Sequence, residues 1–178
     1  RSTLKRLEKM KNHYIVCGLG RVGKAVCEEL LSEEVPFVIV ERNQDMVRMA
    51  QERGWNVVEG DATEDRVLEM AGVERASGLM SCVDSDANNL LLIMTARAMS
   101  KDLVISARVS KDTNVPKFQR AGANNVYSPF SLLGRRMTRA LTQPRVTELL
   151  DLALEESNYD LTIGEVAVPG TSDLVGQT

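Results

Sequence analysis

The sequence predicts a doubly wound, Rossmann-like α/β fold: six parallel strands with helices on both faces, then a tail that leaves the sheet. Three observations carry that expectation. The apolar stretch Ile15-Val-Cys17 runs straight into Gly18-x-Gly20-x-x-Gly23. A helical pattern follows, and then a second apolar strand, Phe37-Val-Ile-Val40, that ends in Glu41. From there strand and helix signals alternate with short links, the pattern of a parallel sheet covered on both faces.

Each element has a local reason. Strand one, 14–17, ends where the glycines begin, and the helical pattern at 24–33 follows the loop. Pro36 precedes strand two at 37–40. Further strands are expected at 56–59, 78–83, 103–107 and 125–127, with helices at 44–53, 63–71, 87–99 and 114–121. Gly54 and Gly122 fall where helix C-caps are expected. Right-handed crossovers then give strand order 3-2-1-4-5-6, with a ligand crevice at the carboxyl ends of strands one and four.

The helix at 87–99 is apolar almost all round, from Ala87 and Leu90 through Ile93 to Met99. The sheet covers only one side of such a helix. The other side is expected either under the C-terminal segment or in a subunit interface. After strand six, Ser128-Pro129 leads into a helix at 131–142, and Pro144 opens another to about Glu155. Tyr159 to Val168 alternates like a strand. The expected organisation is a basic lead-in at 1–12, a nucleotide-binding unit at 13–143, and at 144–178 a connecting helix with the beginning of a further lobe.

The first β-α-β segment carries the chemistry. Gly18 lets the chain turn sharply out of the strand, Gly20 lets the backbone approach a pyrophosphate, and Gly23 lets the helix pack close to the sheet. The helix N-terminus offers N–H groups and a partial positive charge to phosphates. Glu41, eighteen residues past Gly23, stands where a carboxylate takes ribose hydroxyls and repels a 2′-phosphate. An adenine-nucleotide site is expected there.

Composition narrows the classes. A net charge of −3 and a pI of about 5.3 give no footprint for nucleic acid. Cys17, Cys27 and Cys82 are scattered without metal-ligand spacing and read as small buried residues. No apolar run approaches the roughly 20 residues that span a bilayer. The chain begins at Arg1 and ends on Gly176-Gln177-Thr178, and reads as a piece of something longer.

Together these features resemble the RCK domain (regulator of K⁺ conductance, also called KTN), the nucleotide-binding module of prokaryotic potassium channels and Trk/Ktr-type potassium uptake systems. The matching residues are Ile15-Val-Cys-Gly-Leu-Gly-Arg-Val-Gly23, Val38-Ile-Val-Glu-Arg42, Val58-Glu-Gly-Asp-Ala-Thr63, Asp84-Ser-Asp-Ala-Asn-Asn89, Arg120-Ala-Gly-Ala123 and Val126-Tyr-Ser-Pro-Phe130. Order and spacing hold from His13 to Arg136. The resemblance implies a phosphate cradle at Gly18, Leu19, Gly20, Arg21, Val22 and Gly23, with Arg21 reaching a terminal phosphate. It implies Glu41 at the ribose with Arg42 next to it in the site, Asp61, Ala62 and Thr63 beside the adenine, and Asp84 and Arg108 across the crevice. It also implies that the helix after Ser128-Pro129 is a crossover helix, followed by the start of a small C-terminal lobe. The implied ligand is NAD(H), ADP or ATP. Asp61 with Glu64 also reads as a plain helix N-cap. Asp84, Asp86 and Asn88 could hold a cation, or Asp86 could simply cap the long helix. Calcium-gated members of the family place paired glutamates after strand five. Arg108 and Ser110 stand there in this chain, so a hard-cation site in that form is not expected.

No catalytic residue is expected. The single histidine, His13, precedes strand one at the opposite end of the sheet from the crevice, and no tyrosine is followed four residues later by lysine. A dehydrogenase is therefore the weaker rival. The resemblance implies a ligand-sensing domain on the cytoplasmic side of the membrane, joined to a potassium-channel pore and paired with further copies as a dimer within a gating ring. A free regulatory subunit of a Trk/Ktr-type transporter is the alternative. The basic lead-in Arg1 to Lys11, which begins before any natural start at Met10, favours the tethered channel.

Overall fold

The structure, a computed structural model, describes residues 7–145. The expected helix to Glu155, the strand at 159–168 and most of the lead-in lie outside those residues. Six strands form one all-parallel sheet: β1 (Tyr14–Cys17), β2 (Phe37–Glu41), β3 (Val57–Glu59), β4 (Gly78–Ser81), β5 (Val104–Arg108) and β6 (Asn125–Tyr127). Their order is β3-β2-β1-β4-β5-β6, as the crossover rule required. Between them run α1 (Arg21–Ser32), α2 (Gln44–Glu52), α3 (Asp65–Met70), α4 (Asp86–Met99) and α5 (Val115–Ala121), and α6 (Pro129–Thr142) follows the last strand. The chain divides into two compact units, Arg1–Leu133 and Gly134–Thr178, with the boundary inside α6.

Strand alternation builds two cores. Ile15, Cys17, Val38 and Val40 face one side with Leu68, Leu92, Ile93, Ile105 and Phe118. Val16 and Ile39 face the other with Leu19, Cys27, Val47 and Ala50. Both faces of the central strands are thus dry, which explains why they read as unbroken apolar runs.

Several boundaries differ from the sequence reading. The first helix begins at Arg21 rather than 24, because Gly20 is its N-cap and Gly23 lies in the first turn. A Cβ on Gly23 would stand 1.8 Å from the Gly18 carbonyl oxygen, so only glycine permits this approach. Helix 63–71 shrinks to α3, because Asp61 and Thr63 form a turn before it. Strand 78–83 stops at Ser81, where a side chain takes over the main-chain hydrogen bonds of Val83. The long helix is capped by Ser85, whose hydroxyl accepts from Asn88 N, and not by Asp86.

His13 is fully buried at the end opposite the crevice, with Nε2 2.8 Å from the Ala71 carbonyl and Nδ1 unpartnered. Burial holds its pKa below the ordinary 6.5, the hydrogen bond opposes that, and the nearby Arg75 charge adds to the lowering. A depressed folded-state pKa means that the fold favours neutral His13. Stability should therefore be full above pH 6.5 and fall as pH drops from there towards the folded-state value. Urea midpoints at pH 7.5 and 5.5 test this. The His13→Gln variant, which can still donate to Ala71, should show a smaller difference between the two.

Candidate functional site

At the carboxyl ends of β1 to β4 lies a cleft of about 580 Å³ counted to its open mouth. Its floor is the glycine loop. Gly18, at φ +92, leaves β1 in the left-handed region and donates its N–H to Val40 O at 2.9 Å. A Cβ on Gly18 would meet the Cys82 backbone at 2.9 Å. Gly20 is different. A Cβ there would meet only Asp84 Oδ1 at 3.6 Å, so the space beside Gly20 belongs to the cleft and not to packing. That is the opening a pyrophosphate needs, and the residues present fit an adenine nucleotide.

Glu41, at the tip of β2, does more than the sequence suggested. Its Oε2 accepts from Leu19 N at 2.6 Å, and its Oε1 accepts from Arg42 N and Asn43 N at 2.8 Å each. The carboxylate therefore braces the glycine loop against the β2 exit while lining the cleft, and these three bonds fix its orientation. On the far side Asp61 Oδ1 accepts from Thr63 N and Thr63 Oγ1 at 2.9 and 2.7 Å. Those bonds, opposed by partial burial and helped by Arg42, hold its pKa below the usual carboxylate range. Arg42 Nη1 lies 3.6 Å from Asp61 Oδ2, so the two side chains bridge one edge of the cleft. Asp61 is not the N-cap of α3: Glu64 holds that position without a side-chain bond.

The remaining expected residues divide between two places. Ala62 is buried beside Thr63 on the cleft wall. Leu19 is 1% exposed, so it can serve a ligand only through its main chain. Arg21, Val22 and Arg108 line an adjoining cavity of about 660 Å³ to its open mouth, which shares Gly20, Cys82 and Asp84 with the cleft. Arg108 Nη1 is 3.9 Å from Asp84 Oδ1; the arginine side chain is 17% exposed and its Nε has no hydrogen-bond partner. A partly buried guanidinium so loosely paired is suited to an anion. Asp86 turns away from the crevice, accepting from Ser110 N at 2.8 Å, Lys111 N at 3.2 Å and Asn114 Nδ2 at 2.9 Å. Those bonds lower its pKa against the opposing effect of burial, the largest single influence.

Among the described residues no three His, Cys, Asp or Glu side chains gather as metal ligands. Burial pushes the Cys27 and Cys82 thiols up to about 12, so neither is a nucleophile near neutral pH. Sequence reasoning missed the cleft-lining Val40, Gly60, Val83 and Ser85, and also the buried Asn89. The one available signal for Asn89 was an amide on the inner face of an otherwise apolar helix.

A glycine loop at a strand-to-helix turn, with an acidic residue closing the next strand, defines a Rossmann-like nucleotide-binding domain. The TrkA-N domain model matches residues 14–129, and the chain belongs to that family. It is 34% identical over 152 residues to potassium channel protein 1 of Methanocaldococcus jannaschii, covering 84% of this chain and 46% of that protein. The chain spans about half the length of the M. jannaschii channel proteins it matches. Among solved structures, the TrkA-N domain of the Escherichia coli inner membrane protein ybaL superposes with TM-score 0.72 and 30% identity over 75% of this chain and 98% of that one. The GsuK channel bound to NAD superposes with TM-score 0.65 and 26% identity over 73% of this chain and 23% of that one.

Proposed function

We propose that this chain is the nucleotide-sensing regulatory domain of a potassium channel, without turnover of its own. The observation that carries it is the preformed cleft, in which Glu41 is locked to the glycine loop and open space stands beside Gly20. The channel assignment is supported by the M. jannaschii relative, and NAD in the GsuK channel supports the ligand class. The diphosphate of NAD(H), ADP or ATP sits over Gly18 to Gly23. Glu41 takes the ribose diol, Asp61, Ala62 and Thr63 border the adenine, and Arg21 and Arg108 take the phosphate farthest from the adenosine.

Regulation follows from differential binding: nucleotide favours one packing of paired domains, and the lead-in carries that difference to the pore on the membrane side. Two apolar faces serve the pairing, one on α4 and one on α6. Leu91 and Met94 are 49% and 54% exposed, and Phe130, Leu133, Met137 and Leu141 recur at helical spacing on α6, all more than half exposed. A second copy of this chain covers them, as a dimer within a ring. Residues 13–143 form the sensing unit, with 1–12 as the link and 144–178 as the start of a further lobe.

Calorimetry tests the ligand assignment. Wild type should bind NADH and ADP and should disfavour NADPH, because a 2′-phosphate would meet the Glu41 carboxylate. Glu41→Ala should weaken NADH by ~1–2 kcal/mol, the loss of charge-assisted hydrogen bonds, and narrow the gap to NADPH. A wild-type preference for NADPH would refute the ribose role of Glu41.

A further inference from the structure

We propose that Asn89 is a positioning residue of the cleft, which splices the ends of β4 and β5 and thereby presents Arg108 to a phosphate. This rests on the nucleotide-binding function proposed for the cleft. The β4–β5 ladder runs from Gly78 opposite Val104 to Ser81 opposite Ala107. Beyond it the strands are drawn apart. Cys82 N donates to Cys17 O on the β1 side, while Val109 N donates to Tyr127 O on the β6 side. Between them, Val83 N, Val83 O and Arg108 O are taken by one amide.

Asn89 Oδ1 accepts from Ser81 Oγ at 2.6 Å and from Val83 N at 3.1 Å. Its Nδ2 donates to Val83 O at 2.8 Å and to Arg108 O at 3.2 Å. Two acceptor sites and two N–H groups are the whole capacity of an amide, and all four are used in a side chain only 1% exposed. Its neighbours on the same helix face, Leu92, Ile93 and Ala96, are apolar. A hydrophobic residue could fill that volume, but it could not hold two diverging strand ends in register. Asp86, one turn earlier, extends the tie through Ser110 N, Lys111 N and Asn114 Nδ2. The β5 exit is thus fastened to α4 from the Arg108 carbonyl onward.

Arg108 is the last residue of β5, so the setting of its carbonyl fixes the backbone from which the guanidinium extends. Among the described residues, Asp84 at 3.9 Å is its one ion-pair partner, and its Nε has no hydrogen-bond partner. Its aim is therefore governed by the backbone that Asn89 holds. Asn89 itself is too buried to touch a ligand, and its effect passes through Arg108.

The test compares AMP and ADP affinities by calorimetry for wild type, Arg108→Ala, Asn89→Asp and the double variant. Arg108→Ala should lower the ADP-to-AMP affinity ratio by roughly tenfold, the worth of one charge-assisted contact. Asn89→Asp keeps the size and the acceptors but loses both donated bonds, and should lower the ratio by a similar factor. The double variant should fall no further than Arg108→Ala, because both changes remove the same contact. An unchanged ratio in Asn89→Asp, even with a lowered Tm, or full additivity in the double variant, would make Asn89 a packing residue and overturn the proposal. Should Asn89→Asp fail to fold, the wild-type side-chain amide resonances of Asn89 decide: they must shift with ADP and not with AMP, and equal shifts overturn it. A wild type that binds neither nucleotide refutes the nucleotide-binding function itself, a separate and distinguishable result.

Discussion

Gly20→Val should abolish adenine-nucleotide binding and leave the fold intact. The Gly20 backbone lies in the extended region at φ −72, ψ −165, which valine adopts without strain. The nearest protein atom to the new Cβ is Asp84 Oδ1 at 3.6 Å, an ordinary contact. The added methyl groups instead occupy the approach of the pyrophosphate to the loop. Losing even two N–H contacts to phosphate costs about 3 kcal/mol or more, roughly a hundredfold in affinity. Gly23→Ala makes the contrast within the same motif. There a Cβ would stand 1.8 Å from the Gly18 carbonyl oxygen, so the loop and helix must separate and stability itself should drop by several kcal/mol. Calorimetry with ADP and thermal unfolding, run on both variants, separate the two outcomes. Wild-type ADP affinity in Gly20→Val would place the diphosphate somewhere other than over this loop.

Neighbouring substitutions in α4 should give opposite phenotypes. Ile93 is fully buried between the helix and the sheet. An aspartate there is left without a partner in the core, at several kcal/mol, and Ile93→Asp should yield insoluble or unfolded chain. Leu91 and Met94 point outward and are about half exposed. Leu91→Asp and Met94→Asp should therefore fold, bind nucleotide with near wild-type affinity, and run as monomers. In a two-fold interface each charge is repeated on the partner, which multiplies the penalty. Light scattering gives the mass and calorimetry the binding. A wild-type chain that stays monomeric at high micromolar concentration would refute the pairing assigned to this face.

These two experiments mark where the sequence was legible and where it stopped. The order of the sheet could be read because dry β-α-β units carry unmistakable apolar strands, and handedness leaves few ways to connect them. Gly18, Gly20 and Gly23 could be read because their spacing is a consequence of one tight turn. Asp86 could not, since from the sequence it stands as well placed to cap α4 as Ser85. Only the fold brings the β5–α5 loop within reach of its carboxylate and leaves the cap to Ser85.

The sequence by itself determined the strand order, the crevice at the carboxyl ends, the glycine loop and the acidic residue after strand two, all of them products of local periodicity and short-range turn chemistry. Tertiary structure alone decided that Glu41 braces the loop it faces, through Leu19 N twenty-two residues away. It also set Arg42 beside Asp61, and Arg21 with Arg108 in a second cavity adjoining the first. It turned Ile93 inward and Leu91 outward on a helix whose sequence is apolar on both sides, and gave one buried amide the ends of two strands. Each of these depends on pairings between residues far apart in the chain. Local propensity does not encode such pairings; they arise when the parallel crossovers bring separate loops to the same edge of the sheet.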